Sequence, residues 1–172
     1  MNNLVALVIV IYQPSQEELS QIRILAAEYK GVIVDNSTEP ITDKDIGLLH
    51  YIHNGNKNGI AGAQALAVNF LLEKNIADYV VFIDQDSNVA LDYPNSICHE
   101  YKLISMKFPL AVLGPTVIHK DDGVEYRSVI HKDKHLNYGF IPRRDVISSG
   151  SCIRLSLFNS TIKIDKSLFI DY

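Results

Sequence analysis

Leu4 to Ile11 is an unbroken apolar run, the pattern of a strand covered on both faces in the middle of a parallel sheet. Ser15-Gln-Glu-Glu18 follows with the spacing of a capping box, and Leu19, Ile22, Ala26 and Tyr29 then recur at helical intervals. This predicts a helix from about Gln16 to Tyr29. Gly31 to Val34 reads as a second buried strand, ended by Asp35-Asn36-Ser37, and Leu48 to His53 as a weaker third. From Gly59 the period changes: Ala63, Leu66, Ala67, Phe70 and Leu71 share one face of a helix whose N-cap is expected at Asn58. Tyr79 to Ile83 is another wholly apolar strand, broken by Asp84-Gln85-Asp86. Strand, helix, strand, strand, helix, strand predicts an α/β fold with a mostly parallel sheet and helices on both faces.

The second half is less regular. A helix is expected after Pro94 to about Lys107, then a strand at Leu110 to Leu113 closed by Gly114-Pro115. Thr116 to Ile118, Tyr126 to Ile130 and Asp145 to Ile147 read as short strands, and Ser148-Ser149-Gly150 introduces a last apolar segment. At 172 residues, with no internal repeat or linker, one domain is expected. Cys98 and Cys152 form no C-x-x-C pair and read as reduced thiols of a cytoplasmic protein. The longest apolar run falls far short of the roughly 18 residues of a spanning helix. A net charge of -4 gives no electrostatic footprint for nucleic acid. The one basic stretch, His131, Lys132, Lys134, His135, Arg143 and Arg144, is interrupted by Asp133 and an apolar segment and reads as a solvated face.

Ligands of open α/β sheets collect at the carboxyl ends of the strands, where loops diverge and helix N-termini present free amides. Tyr12, Asp35, Asn54 and Asp84 each follow a predicted strand, so parallel strands would bring them to one edge. Asp84 and Asp86, two carboxylates at i and i+2 after a buried strand, suit a hard divalent cation such as Mg2+ or Mn2+ that bridges substrate phosphates. Asp43-Lys44-Asp45 has the same spacing but no buried strand before it, and is expected to bind nothing. The segment Asn54 to Gly62 leads into a helix N-terminus, with Lys57 as a nearby point charge for an anion. Neither G-x-G-x-x-G nor G-x-x-x-x-G-K-[ST] occurs, which argues against a nicotinamide dehydrogenase and a P-loop NTPase. No G-x-S-x-G or H-E-x-x-H motif is present either, and His50, His53 and His99 read as strand or helix residues rather than ligands.

Val8-Ile-Val-Ile-Tyr-Gln-Pro14, Val32-Ile-Val-Asp-Asn-Ser37, Asn58-Gly-Ile-Ala61 and Tyr79-Val-Val-Phe-Ile-Asp-Gln-Asp-Ser87 together resemble the family 2 glycosyltransferases. With Leu113-Gly-Pro115, Ile147-Ser-Ser-Gly150 and Leu168-Phe-Ile-Asp-Tyr172, they are most similar to the bacterial rhamnosyltransferases. The resemblance implies a Rossmann-like GT-A fold that uses a nucleotide-sugar donor and a divalent metal. Tyr12 and Asp35 would border the nucleoside base, Asn58 and Gly59 would lie beside the donor, Asp84 would contact ribose or diphosphate, and Asp86, with Asp84, would hold the metal. The nucleotide-binding part would span about residues 1–90 and the start of an acceptor side about 91–172. By the same likeness the donor would be dTDP-L-rhamnose and the acceptor a growing cell-surface polysaccharide or a lipid-linked saccharide.

In the family pattern the motif beginning at Leu168 continues into an acidic stretch that holds the acceptor-activating base. A truncated chain is therefore expected, with Asp171 as the last candidate base within it and peripheral contact with the inner membrane face left to a region beyond Tyr172. Two rivals stand beside this reading. A haloacid-dehalogenase-type phosphatase would use Asp84 as nucleophile and Asp86 as acid/base, but Asn88 stands where that pattern wants Thr or Val. A non-catalytic nucleotide-sugar binding module would need no base at all.

Overall fold

The apolar runs become strands whose bounds lie within one residue of those expected: β1 (Val5–Ile11), β2 (Gly31–Asp35), β3 (Leu49–His53) and β4 (Tyr79–Asp84). Three helices connect or follow them, α1 (Gln16–Glu28), α2 (Gly59–Lys74) and α3 (Tyr93–Ser105). Two short strands, β5 (Val112–Leu113) and β6 (Cys152–Arg154), complete one six-stranded sheet in the order β3-β2-β1-β4-β6-β5. The first four strands are parallel, and β6 runs antiparallel to both β4 and β5. This computed structural model describes residues 5–43, 45–118, 121–125, 140–143, 145–159 and 162–165.

Side chains alternate along each strand, and both faces of this sheet are covered. Leu7, Ile9, Ile11, Ile33, Val81 and Ile83 pack under α1 and α3, while Ala6, Val8, Val32, Val34, Val80 and Phe82 pack under α2. Two-sided burial is why these strands read as continuous apolar runs rather than alternating ones. The β1–β2 approach is close enough that a methyl group on Gly31 would collide with the Leu7 carbonyl oxygen.

Helix entry follows the sequence at α1 and departs from it at α2. The capping box forms, with Glu18 N donating to Ser15 Oγ at 3.2 Å and Ser15 N to Glu18 Oε2 at 2.6 Å. Asn58 does occupy the N-cap position of α2, but with a left-handed backbone (φ 61°) and no side-chain capping bond. A capping side chain needs the extended backbone of an ordinary N-cap, so Asn58 acts here as a turn residue.

Three of the weaker strand expectations are corrected. Leu110 to Leu113 narrows to Val112–Leu113, and Thr116 to Ile118 keeps a single bridge, Ile118 to Glu125. Asp145 to Ile147 is irregular: Val146 and Ile147 are 37% and 48% exposed, so their β-branched side chains have no buried face to favour a strand. Tyr126 to Ile130 lies outside the described residues. Cys98 and Cys152 are free and buried. Among the described residues no helix is long and apolar enough to cross a membrane.

Candidate functional site

Register brings the expected polar residues to one edge. Ile11 pairs with Asp35, Val10 with Asp84, and Asp35 with His53, so the carboxyl ends of β1, β2, β3 and β4 finish nearly level. Tyr12, Asp35, Asn54 and Asp84 therefore share one rim. Tyr12 is 49% exposed there, and Asp84 and Asp86 are exposed as well.

Asp35 differs from its neighbours on this rim because it is fully buried. Its Oδ1 accepts from Ser37 N at 2.8 Å, and its Oδ2 from Ile41 N at 3.0 Å and the Tyr51 hydroxyl at 2.6 Å. Burial pushes the carboxyl up, but the bonds from Ser37, Tyr51 and Ile41 outweigh it and hold the group below its ordinary value. Burial, together with the bond to Asp35 and its charge, raises the Tyr51 phenol in turn. The carboxylate thus shapes the rim from beneath, tying the loop after β2 to β3.

The same loop carries the entry of α2. Asn36 Nδ2 donates to Gly59 O at 3.1 Å, and Asn54 Nδ2 to Asn36 Oδ1 at 2.8 Å and Lys57 O at 3.0 Å. Gly55, Asn56, Asn58 and Gly59 all take left-handed backbone, which Gly and Asn tolerate better than other residues. Ser37 Oγ accepts from Gln13 N at 2.7 Å, and Ser37 O lies 2.9 Å from His53 Nε2, so the β1, β2 and β3 ends are laced together.

At the end of β4, the Ser148-Ser149-Gly150 segment, to which the sequence assigned no role at the rim, proves to be structural support. Asp84 N donates to Ser149 Oγ at 3.1 Å, and Ser87 Oγ lies 2.8 Å from the same hydroxyl. Gly150 N donates to Phe82 O at 2.7 Å, Tyr93 holds Gly150 O at 2.7 Å, and Gln64 Nε2 reaches Ser148 Oγ at 2.9 Å. The available signal was a small polar Ser-Ser-Gly run just before an apolar segment. On the other side, Gln85 bonds the Tyr12 backbone and Glu18. A cleft of about 190 Å³ opens there, lined by Glu17, Gln21, Gln85, Asp86 and Asn88 among others. A second cleft of about 290 Å³, between Tyr29 and Asn95, contains none of the rim residues.

Among the described residues no three His, Cys, Asp or Glu side chains converge as a complete metal cage. Asp84 and Asp86 offer oxygen donors alone, a set that fits a Mg2+ or Mn2+ ion taking one or two carboxylates and completing its shell with water and substrate oxygens. The control pair behaves differently: Asp43 Oδ2 pairs with Arg23 Nη2 at 2.6 Å and Asp43 Oδ1 accepts from Asp45 N at 3.0 Å, which ties a surface loop to α1. His50 stacks on Phe70 with ring centroids 4.2 Å apart, as a strand residue would. Asp171, like the Leu168 to Tyr172 motif around it, lies outside the described residues.

The sheet order and its polar rim define a Rossmann-like α/β fold. The crystal structure of S. aureus TarS 1–349 superposes with a TM-score of 0.54 at 14% identity, covering 96% of this chain and 53% of that one. In sequence, the chain is 31% identical over 188 aligned positions to the dTDP-rhamnosyl transferase RfbF of Shigella flexneri. That alignment takes in 100% of this chain and 61% of the relative, so the chain spans about three-fifths of that protein's length. The likeness to that relative runs the whole length of this chain. No family model matches it.

Proposed function

We propose that the protein is a glycosyltransferase that moves L-rhamnose from dTDP-L-rhamnose to a growing cell-surface polysaccharide or lipid-linked saccharide, with inversion at the anomeric carbon. The observation that carries this reading is the level rim that sets exposed Tyr12 beside the Asp84-Gln85-Asp86 turn. The likeness to a dTDP-rhamnosyl transferase, over all of this chain and 61% of that relative, supports the choice of donor.

In such a displacement negative charge builds on the departing diphosphate, and catalysis rests on groups aimed at that charge. Asp84 and Asp86 would hold a divalent cation, Mg2+ or Mn2+, which supplies electrostatic neutralisation of the phosphates. Free amides at the start of α2, beside Asn58 and Gly59, would receive the anion from the other side. Tyr12 presents an aromatic face for the nucleoside, and Asp35 acts by holding the loop beside it. Of the residues in this chain Asp171 is the last candidate for deprotonating the acceptor hydroxyl, the family pattern placing that base in the acidic stretch that follows it, and residues 91–172 would begin the acceptor side. The two free, buried cysteines support a cytoplasmic location.

Thermal unfolding in the presence of Mn2+ and a panel of nucleotide sugars tests the donor. A ligand at about 100 times its Kd stabilises by about 2.7 kcal/mol, which for a chain of this size raises Tm by roughly 5–10 °C. The expected result is such a rise with dTDP-L-rhamnose and a smaller one with UDP-glucose or GDP-mannose. No shift with any nucleotide sugar would contradict the reading.

A further inference from the structure

Gln85 stands between the two rim carboxylates, and the chemistry of a paired-carboxylate cation site gives it no task. Its side-chain amide nevertheless makes three hydrogen bonds, all to residues distant in sequence. Oε1 accepts from Tyr12 N at 2.6 Å, while Nε2 donates to Tyr12 O at 3.3 Å and to Glu18 Oε1 at 3.2 Å. The β1–β4 ladder stops at Val10 and Asp84, because the chain turns at Gln85 and Asp86. Backbone groups beyond a ladder's end need other partners, and one amide here serves both the N–H and the C=O of Tyr12. Glu18 is also the N3 residue of the capping box, so the same amide joins β1, β4 and the start of α1.

We propose that Gln85 is a positioning residue: its amide clasps the Tyr12 backbone and fixes the span between Tyr12 and the Asp84–Asp86 pair across which a nucleoside diphosphate lies. This rests on the donor-site reading above. Only an amide satisfies the arrangement, since Tyr12 N–H requires an acceptor while Tyr12 O and Glu18 require a donor. A carboxylate at position 85 would face the Glu18 carboxylate, and an apolar side chain would release both Tyr12 groups to water. These bonds are exposed or half-buried, so their loss moves geometry more than overall stability. Misplacing a binding group by a fraction of its contact distance is costly where two ends of one ligand must be met together.

The test compares wild type, Gln85→Met, Gln85→Glu, Glu18→Gln and the double exchange Gln85→Glu with Glu18→Gln. Calorimetric titration with dTDP in Mn2+ is paired with hydrogen exchange at the Tyr12 amide. Gln also serves at the N3 position of a capping box, so Glu18→Gln keeps the α1 cap. The double exchange restores both the net charge and a donor–acceptor match between positions 18 and 85. Gln85→Met is expected to bind dTDP about tenfold more weakly and to expose the Tyr12 amide to faster exchange. Gln85→Glu keeps an acceptor for Tyr12 N but is expected to bind about tenfold more weakly, and the double exchange to recover only part of that loss, because Tyr12 O still lacks its donor. Wild-type affinity and wild-type Tyr12 protection in Gln85→Met would overturn the proposal. So would a double exchange no tighter than Gln85→Glu alone. Failure of the wild type to bind dTDP, UDP or GDP would instead overturn the donor-site reading, and the positioning role with it.

Discussion

The Tyr51 hydroxyl donates to Asp35 Oδ2 at 2.6 Å, joining β3 to the carboxyl end of β2 beneath the polar rim. Removing that carboxylate would take away an acceptor shared by the Tyr51 phenol and the amides of Ser37 and Ile41. Asp35→Ala is therefore expected to destabilise the fold by about 2–4 kcal/mol in urea unfolding.

The pH dependence of that contribution has a definite sign. Hydrogen bonds hold the Asp35 carboxyl below its ordinary value in the fold, against the opposing effect of burial. A carboxyl depressed on folding contributes fully above its unfolded value of about 4 and loses that contribution as pH falls through the folded value. Glu18, held low by its bonds to Ser15, acts in the same direction. Unfolding of wild type and Asp35→Asn across the acid range is expected to show the gap between them closing as pH drops. A gap that widened toward acid would contradict the assignment.

Ser149 supports the acidic turn from the side opposite Gln85. Ser149→Ala removes the acceptor of the Asp84 amide and the partner of Ser87. The expected cost is about 1 kcal/mol in stability, with dTDP affinity falling by about threefold to tenfold because the turn that bears both carboxylates is loosened. Calorimetry beside urea unfolding separates the two effects.

Gly62 lies in the first turn of α2, where alanine would ordinarily favour the helix by about 1 kcal/mol. Here a Cβ would come within 2.6 Å of both Lys57 O and the Asn58 Cβ, closer than real contacts allow. Gly62→Ala is therefore expected to reverse the usual sign, destabilising by about 1–3 kcal/mol as the entry turn of α2 shifts. Donor affinity should fall with it, since Asn58 and Gly59 move. An alanine variant that melts higher than wild type would show that the turn yields freely.

Most of what positions the site was legible because it is local. Apolar runs, a capping box and polar residues at strand ends are read within a few positions, and they located β1 through β4 and the shared edge of Tyr12, Asp35 and Asp84. The inward turn of Asp35 also had a signal in parity: position 35 falls in phase with Ile33, whose face is covered by α1 and α3, as does its partner Tyr51. The capping role expected of Asn58 failed because its left-handed backbone depends on the Asn36 and Asn54 network around it. Ser149 and Gln85 were harder to find. Their partners lie 65 and 73 residues away, and a three-residue strand such as β6 is stabilised by pairing with β4 rather than by its own sequence.

Metal-dependent nucleotide binding bears most directly on the central claim that the Asp84–Asp86 turn holds the diphosphate end of a sugar donor. Calorimetry with dTDP is to be run with Mn2+ and with a chelator, on wild type and on Asp86→Ala. The account requires wild type to bind at least about tenfold more tightly with the metal, and Asp86→Ala, still folded, to lose that difference. Equal affinity with and without metal in the wild type, or a metal effect untouched by Asp86→Ala, would contradict it.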